Sequence, residues 1–310
     1  MLQQHTSPSS TRFEPAHLFD GLFVPCKGKG RGRLMVAPRE FGQFKVSFQG
    51  FEQLGADDQS IFLATFAQLS MGKTVIEAEP PGEISKQLRH AMGFNQDDGS
   101  PLASSELHLS SVLKTAGYSD SRSGSALKRA RVILNRLRGA QIREVNQETG
   151  WDRACNLIAV EFSHRSDRFY IAVNPRLTEV LFKPQYINIS LVERNALKTE
   201  VAKLLHCWLS SHIRLGKSQL NRNGIHVDSL GPHIWGRRQW MESSASTLSK
   251  RRSQLILALK EISDCNRNIE GAHNWTIAMD GKGIVKISRP CKMPLFQNTF
   301  QRIGHLTNKP

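Results

Sequence analysis

Apolar residues recur along this chain at two periods, and the switches between them divide it into elements. "RLMV" (33–36) and "FKVSF" (44–48) alternate apolar with polar positions and predict a strand pair around Pro38 to Gly42. In "LGADDQSIFLATFAQLS" (54–70), Ile61, Phe62, Phe66 and Leu69 predict a buried helix, with Asp57 and Asp58 suited to the positive end of its dipole. Pro80, Pro81, Gly82, Gly93, Gly99 and Pro101 make 79–101 an irregular connection holding one short helix from Glu83 to Met92. A short helix in "SSVLKTAGY" (110–118) and the polar turn "SDSRSG" (119–124) precede a longer helix, "SALKRARVILNRLRGA" (125–140). Leu127, Ala130, Leu134 and Leu137 share one of its faces. "LIAVEF" (157–162) and "RFYIAVN" (168–174) then flank "SHRSD" as a β-hairpin.

The second half repeats this order. "VERNALKTEVAKLLHCWLSSHI" (192–213) reads as one long amphipathic helix carried by Ala202, Leu205, Leu209 and Ile213. "VDSLGPHIWG" (227–236) reads as a short helix that Asp228 is placed to cap. "SASTLSKRRSQLILALKEI" (244–262) is the longer helix, anchored by Leu248, Leu255, Leu259 and Ile262, and "NWTIAMDGKGIVKISRP" (274–290) supplies two strands around Asp280 and Gly281. Short helix, turn, longer helix and hairpin together describe a winged helix, in which the front of the second helix enters the major groove and the hairpin touches the backbone. The predicted class is therefore α+β. Two tandem winged-helix domains, 51–184 and 185–290, follow a flexible basic arm and strand pair (1–50) and precede a tail (291–310).

Charge sharpens this picture. Between Ser121 and Arg143 lie seven Arg or Lys and no acid, whereas a solvated helix normally mixes both signs for pairing. Candidate DNA contacts in the first unit are Arg122, Ser123, Ser125, Lys128, Arg129 and Arg131, and in the second Ser246, Thr247, Lys250, Arg251 and Arg252. Lys282 and Lys286 of the second hairpin are candidate phosphate contacts. The whole chain has 42 Lys and Arg against 27 Asp and Glu, a formal net charge of +15 that attracts polyanions. Residues 1 to about 33, ending in "KGKGRGR", are polar and Gly-rich and read as a mobile basic arm. No apolar run is long enough to span a bilayer, and the start lacks the apolar centre of a secretory signal, so a cytoplasmic protein with no membrane partner is expected. Five widely spaced cysteines form no C-x-x-C pair and predict neither a zinc site nor a disulfide framework.

The stretches "LGADDQSIFLATFAQL", "RFYIAVNPRLTEVL", "YINISLVERNALKTEVAKLLHCWLSSHI" and "SSASTLSKRRSQLILALKEI" resemble the RepC replication initiators of IncQ-type plasmids and the related RepA initiators of IncW plasmids, over about residues 50 to 290. The resemblance implies two winged-helix domains that bind iterons in double-stranded DNA at the plasmid's vegetative origin. Origin opening and loading of a plasmid-encoded replicative helicase would follow, with self-association as a further expectation. It implies binding rather than catalysis and no cofactor, and it leaves the first 33 residues and those after Pro290 outside.

Other classes of protein have candidate residues of their own in the chain. "AQLSMGKT" (67–74) fits a relaxed phosphate-loop pattern, yet it follows an apolar helix and leads into "VIEAEPPGE", where two prolines forbid the helix that such a loop must open. Its Gly72 is better read as a helix C-cap. A DNA-cleaving enzyme would draw on Tyr118, Tyr170 or Tyr186, or on histidines such as His206 and His212, but the eleven histidines show no H-x-H or H-x-x-x-H pair. A winged-helix transcriptional repressor remains the alternative that these residues separate least from an initiator.

Overall fold

Burial on alternate positions, as at Leu34, Val36, Val46 and Phe48, produces strands where the sequence alternates, and continuous burial produces the central helix. The computed structural model describes residues 8–26, 30–80, 82–93, 99–163, 165–182, 186–219, 221, 223–267 and 274–292. The chain enters through β1 (Ser10–Phe13), a 3-10 turn (Pro15–Leu18) and the pair β2 (Leu34–Phe41) and β3 (Phe44–Gly50). There follow α1 (Ala56–Met71), β4 (Thr74–Ile76), α2 (Glu83–Ala91), β5 (Leu102–His108), α3 (Leu109–Thr115) and α4 (Gly124–Arg138). Next come β6 (Ala140–Asn146), β7 (Asp152–Asn156), the hairpin β8 (Ile158–Phe162) and β9 (Arg168–Val173), and α5 (Pro175–Phe182). The second half runs β10 (Ile187–Ser190), α6 (Leu191–Ala196), α7 (Glu200–His212), β11 (Ile225–His226), a 3-10 turn (Val227–Leu230), α8 (Gly231–Trp235) and α9 (Arg237–Met241). It closes with α10 (Ala245–Asp264) and the hairpin β12 (Thr276–Met279) and β13 (Ile284–Ser288).

The fold is a mixed α/β arrangement in which one topology occurs twice. In the first half, helix α1 is followed by β5, the short α3, the longer α4 and the hairpin β8–β9, and β5 pairs antiparallel with β9. In the second, α7 is followed by β11, the short α8, the longer α10 and the hairpin β12–β13, and β11 pairs antiparallel with β13. The hairpins extend to sheets of order β4-β5-β9-β8 and β11-β13-β12. The repeats differ by insertions: β4 and α2 stand between α1 and β5, α9 stands between α8 and α10, and β6 and β7 intervene between α4 and its hairpin and complete a separate sheet, β2-β3-β6-β7.

Helix α1 sits at the centre, buried on nearly every side, so its polar residues need internal partners. Asp58 accepts from the Gly55 N–H at the helix start and pairs with Arg31 and Arg136. Gln59 and Ser60 are met by Arg194 of α6, a fully buried guanidinium that also donates to the Ala56 carbonyl (3.1 Å) and to Cys207 Sγ of α7 (3.2 Å). His17 is buried among Phe13, Phe48 and Phe62 and accepts from Asn174 Nδ2, and burial together with the nearby Arg176 lowers its pKa to about 3. It is a neutral core side chain.

Three expectations are corrected. The segment read as a mobile arm is built into the core over its described part: Phe13, Leu22, Phe23 and Val24 are buried, and β1 pairs with β10. Its aromatic and aliphatic residues outweigh the local polar composition because α1 offers them a surface, with Phe13 edge-on to Phe62 at 5.3 Å and to Phe66 at 5.7 Å. Residues 27–29 and 1–7 of that segment lie outside the described residues. The helix expected over 192–213 is two, α6 and α7, because Thr199 caps a new start by accepting from the Ala202 N–H. Asp228 does not cap its turn: His226 Nδ1 accepts from the Asp228 N–H instead, and the carboxylate is turned to Arg252.

Candidate nucleic-acid interface

Each of the two basic helices is started by a serine. Ser123 accepts from the Ala126 N–H at 3.3 Å and Ser244 from the Thr247 N–H at 3.3 Å, which fixes where α4 and α10 begin. Gly117, at φ +87°, turns the chain between α3 and α4 into a left-handed conformation that suits glycine. Behind these starts, Ala130, Ile133, Leu134 and Leu137 bury one face of α4, and Leu255, Ala258, Leu259 and Ile262 one face of α10. Leu127 and Leu248, assigned to those faces from the sequence, are only half-buried. The front turns therefore project from helices whose rear halves are anchored.

The predicted contact residues fall into three groups. Arg122, Ser125, Lys128, Ser246, Lys250, Lys282 and Lys286 are exposed. Among the described residues, Lys128 and Lys250 have no acidic partner. Ser123 and Thr247 belong to the caps, Ser123 Oγ also donating to the Asp120 carbonyl and Thr247 Oγ1 lying 3.0 Å from Ser244 Oγ. The other four arginines are engaged. Arg129 pairs with Asp57 and lies 5.9 Å from the Tyr118 ring, and Arg131 donates to the Ser166 carbonyl of the first hairpin loop at 3.1 Å. Arg251 folds back onto the Gln239 carbonyl (2.9 Å), Ser243 Oγ (2.6 Å) and the Trp235 ring (5.2 Å), and burial lowers its pKa. Arg252 donates to both oxygens of Asp228 at 2.7 and 2.5 Å, a bond that holds the Asp228 carboxyl below the usual range. Arg131 and Arg251 thus brace neighbouring elements as well as lying on the helices expected to contact DNA.

Sequence reasoning passed over Arg165, which is exposed on the loop between β8 and β9, the counterpart of Lys282 in the second hairpin. The signal was present in the polar loop "SHRSD" between two apolar strands. It also gave Asp57 and Asp228 only helix-end roles, since their arginine partners are distant in sequence. The residues of the rival readings are occupied otherwise. Ala67–Met71 is the last turn of α1, Gly72 donates to the Leu69 carbonyl, and a strand rather than a helix follows. His206 is buried against Glu193 at 2.8 Å, Glu193 accepts from Trp275 and Asn266 as well, and His212 stacks on Trp208 at 4.1 Å. Among the described residues no helix is long and apolar enough to cross a membrane.

Comparison with known sequences defines the class as a replication protein: the sequence model of the family Replication protein C (RepC) matches residues 6–291. The chain belongs to the RepC family, and it is a replication initiator. The match begins well before residue 50, so it takes in the N-terminal segment that the sequence resemblance had left outside, in keeping with its packing. No curated protein matches. Among solved structures, domains 2 and 3 of RctB, crystallised as selenomethionine derivatives, resemble the chain at 12% identity and a TM-score of 0.49, covering 89% of this chain and 98% of that one. A second structure of RctB domains 2–3 does so at 13% identity and a TM-score of 0.42, covering 88% and 94%.

Proposed function

We propose that this initiator acts by binding rather than catalysis, through two tandem winged-helix domains, 51–184 and 185–290, that recognise iterons in the double-stranded vegetative origin of an IncQ-like plasmid. Origin opening and loading of the plasmid-encoded helicase follow. The observation that carries this reading is the repeated topology: twice, a serine-capped basic helix follows a shorter helix and precedes a hairpin whose second strand pairs with an earlier strand. In such a unit the front of the longer helix enters the major groove and the hairpin lies along the backbone. Lys128 and Lys250 are cations on those fronts with no acidic partner among the described residues, Ser125 and Ser246 are exposed hydroxyls, and Lys282 and Lys286 are the hairpin's phosphate contacts.

The test compares a duplex carrying direct repeats from the plasmid origin with a shuffled duplex of equal length. Lys250→Ala and Lys128→Ala should each weaken repeat binding by about 1–3 kcal/mol and weaken shuffled binding less, because lost base contacts penalise only the cognate sequence. Melting temperatures should hardly move, since both side chains are exposed. Intact repeat binding in both folded variants overturns the reading.

A further inference from the structure

Each basic helix presents two kinds of cation. Lys128 and Lys250 are unheld among the described residues, whereas Arg129 and Arg252 are gripped by an acid from outside the helix. The acids sit on fixed backbone. Asp57 is in the first turn of α1, whose start is tied down by Asp58 and Gly55, and Asp228 is in the 3-10 turn started by His226. Both pairs remain at the surface, with side-chain exposures of 57% and 29% for Arg129 and Asp57 and of 48% and 30% for Arg252 and Asp228. Exposed ion pairs add little to folding, so stability does not account for the same device in both halves.

We propose that Asp57 and Asp228 are positioning residues for specificity: each presets one guanidinium of a reading helix so that its free N–H donors meet the DNA in a single orientation. The proposal rests on the winged-helix reading above. The grip on Arg252 uses Nε and Nη2, so Nη1 is left to a base edge or phosphate. Holding the fork removes rotamer freedom before binding, which favours the one sequence whose acceptors fit it. The carboxylate also repels phosphates wherever that fit is missing, which lowers binding to every other sequence. Both effects widen the gap between the right repeat and random DNA. An unheld lysine, whose donors rotate about a compact charge, discriminates less sharply than a held guanidinium.

The experiment uses the full chain with Asp57→Asn and Asp228→Asn, measured on repeat and shuffled duplexes at one salt concentration alongside melting temperatures. Repeat affinity should fall by about fivefold to tenfold, part of what a well-placed bidentate contact contributes, while shuffled affinity holds or rises. In an Arg252→Ala background, Asp228→Asn should change the repeat-to-shuffled ratio no further, because the side chain it positions is gone. A ratio unchanged in both single variants, or a uniform rise on both duplexes, overturns the proposal, the latter because the acids would then be mere competitors of phosphate. Lys250→Ala run in parallel separates the failures. If it lowers repeat binding while the aspartate variants do not, only the positioning role falls; if it too leaves repeat binding intact, the groove reading by α10 falls with it.

Discussion

Three consecutive cations, Lys250, Arg251 and Arg252, meet three fates because a helix turns about 100° per residue. Lys250 points to solvent, Arg251 packs on Trp235 with bonds to Gln239 and Ser243, and Arg252 reaches Asp228. From sequence the three look interchangeable. The difference lies in what α8, α9 and the turn at 227–230 bring alongside, which no local pattern reveals. Arg251→Ala should therefore act on folding: it removes donors to a carbonyl and a hydroxyl, a loss of about 1–3 kcal/mol. Urea unfolding should show the drop, and repeat affinity per folded molecule should stay near that of the parent protein. Normal stability with weakened binding would mean instead that Arg251 touches DNA.

Elements with a clean period were legible in the sequence, and those whose buried face carries charge were not. Helices α1, α4 and α10 and the hairpins β8–β9 and β12–β13 fall where the apolar spacing puts them. Strands β6 and β7 went unseen because the inward position between Ile142 and Asn146 is Glu144, a charge that reads as solvent-facing. Its burial is tolerated because Arg153 and Arg176 both pair with it. Strands β5 and β11 were missed for another reason: β11 is only two residues long, and β5 opens directly into α3. The hairpins carry a prediction of their own. Lys286 is exposed on β13 and Lys282 in the turn before it, so Lys282→Ala and Lys286→Ala should weaken all duplexes alike. Each should reduce the steepness of the log–log salt dependence by about one unit, measured as affinity against salt concentration. A changed sequence preference with an unchanged slope would mean that these lysines reach bases.

On the scale of the whole molecule, the two halves are joined through a charge in the core. Arg194, 1% exposed, reaches from α6 to Ala56, Gln59 and Ser60 of α1 and to Cys207 of α7. Burying a guanidinium is costly, and its hydrogen bonds offset that cost only as a set. Arg194→Met should leave the buried Gln59 amide oxygen without its donor and the Ala56 carbonyl with one donor fewer, and lower stability by about 1–3 kcal/mol. Denaturant unfolding checks this. A loss below about 1 kcal/mol would mean that the surrounding groups repair themselves, as apolar replacements of buried charges sometimes allow.

The pairing of β1 with β10 reaches past this equilibrium picture into the making of the chain. Phe13 lies opposite Ile187 and Ser10 opposite Ser190, so the first described strand has no neighbour until a partner roughly 170 residues later has been made. At about 5–20 residues per second, the nascent chain waits on the order of ten seconds or more for it on the ribosome. During that interval the contact of Phe13 with Phe62 and Phe66 of α1 has only ring packing to hold it, with no strand pairing behind it. Strand β1 is thus among the last strands that can complete its pairing. The nascent chain carries an aromatic cluster that lacks its final strand pairing, and surfaces of that kind are prone to association while synthesis continues.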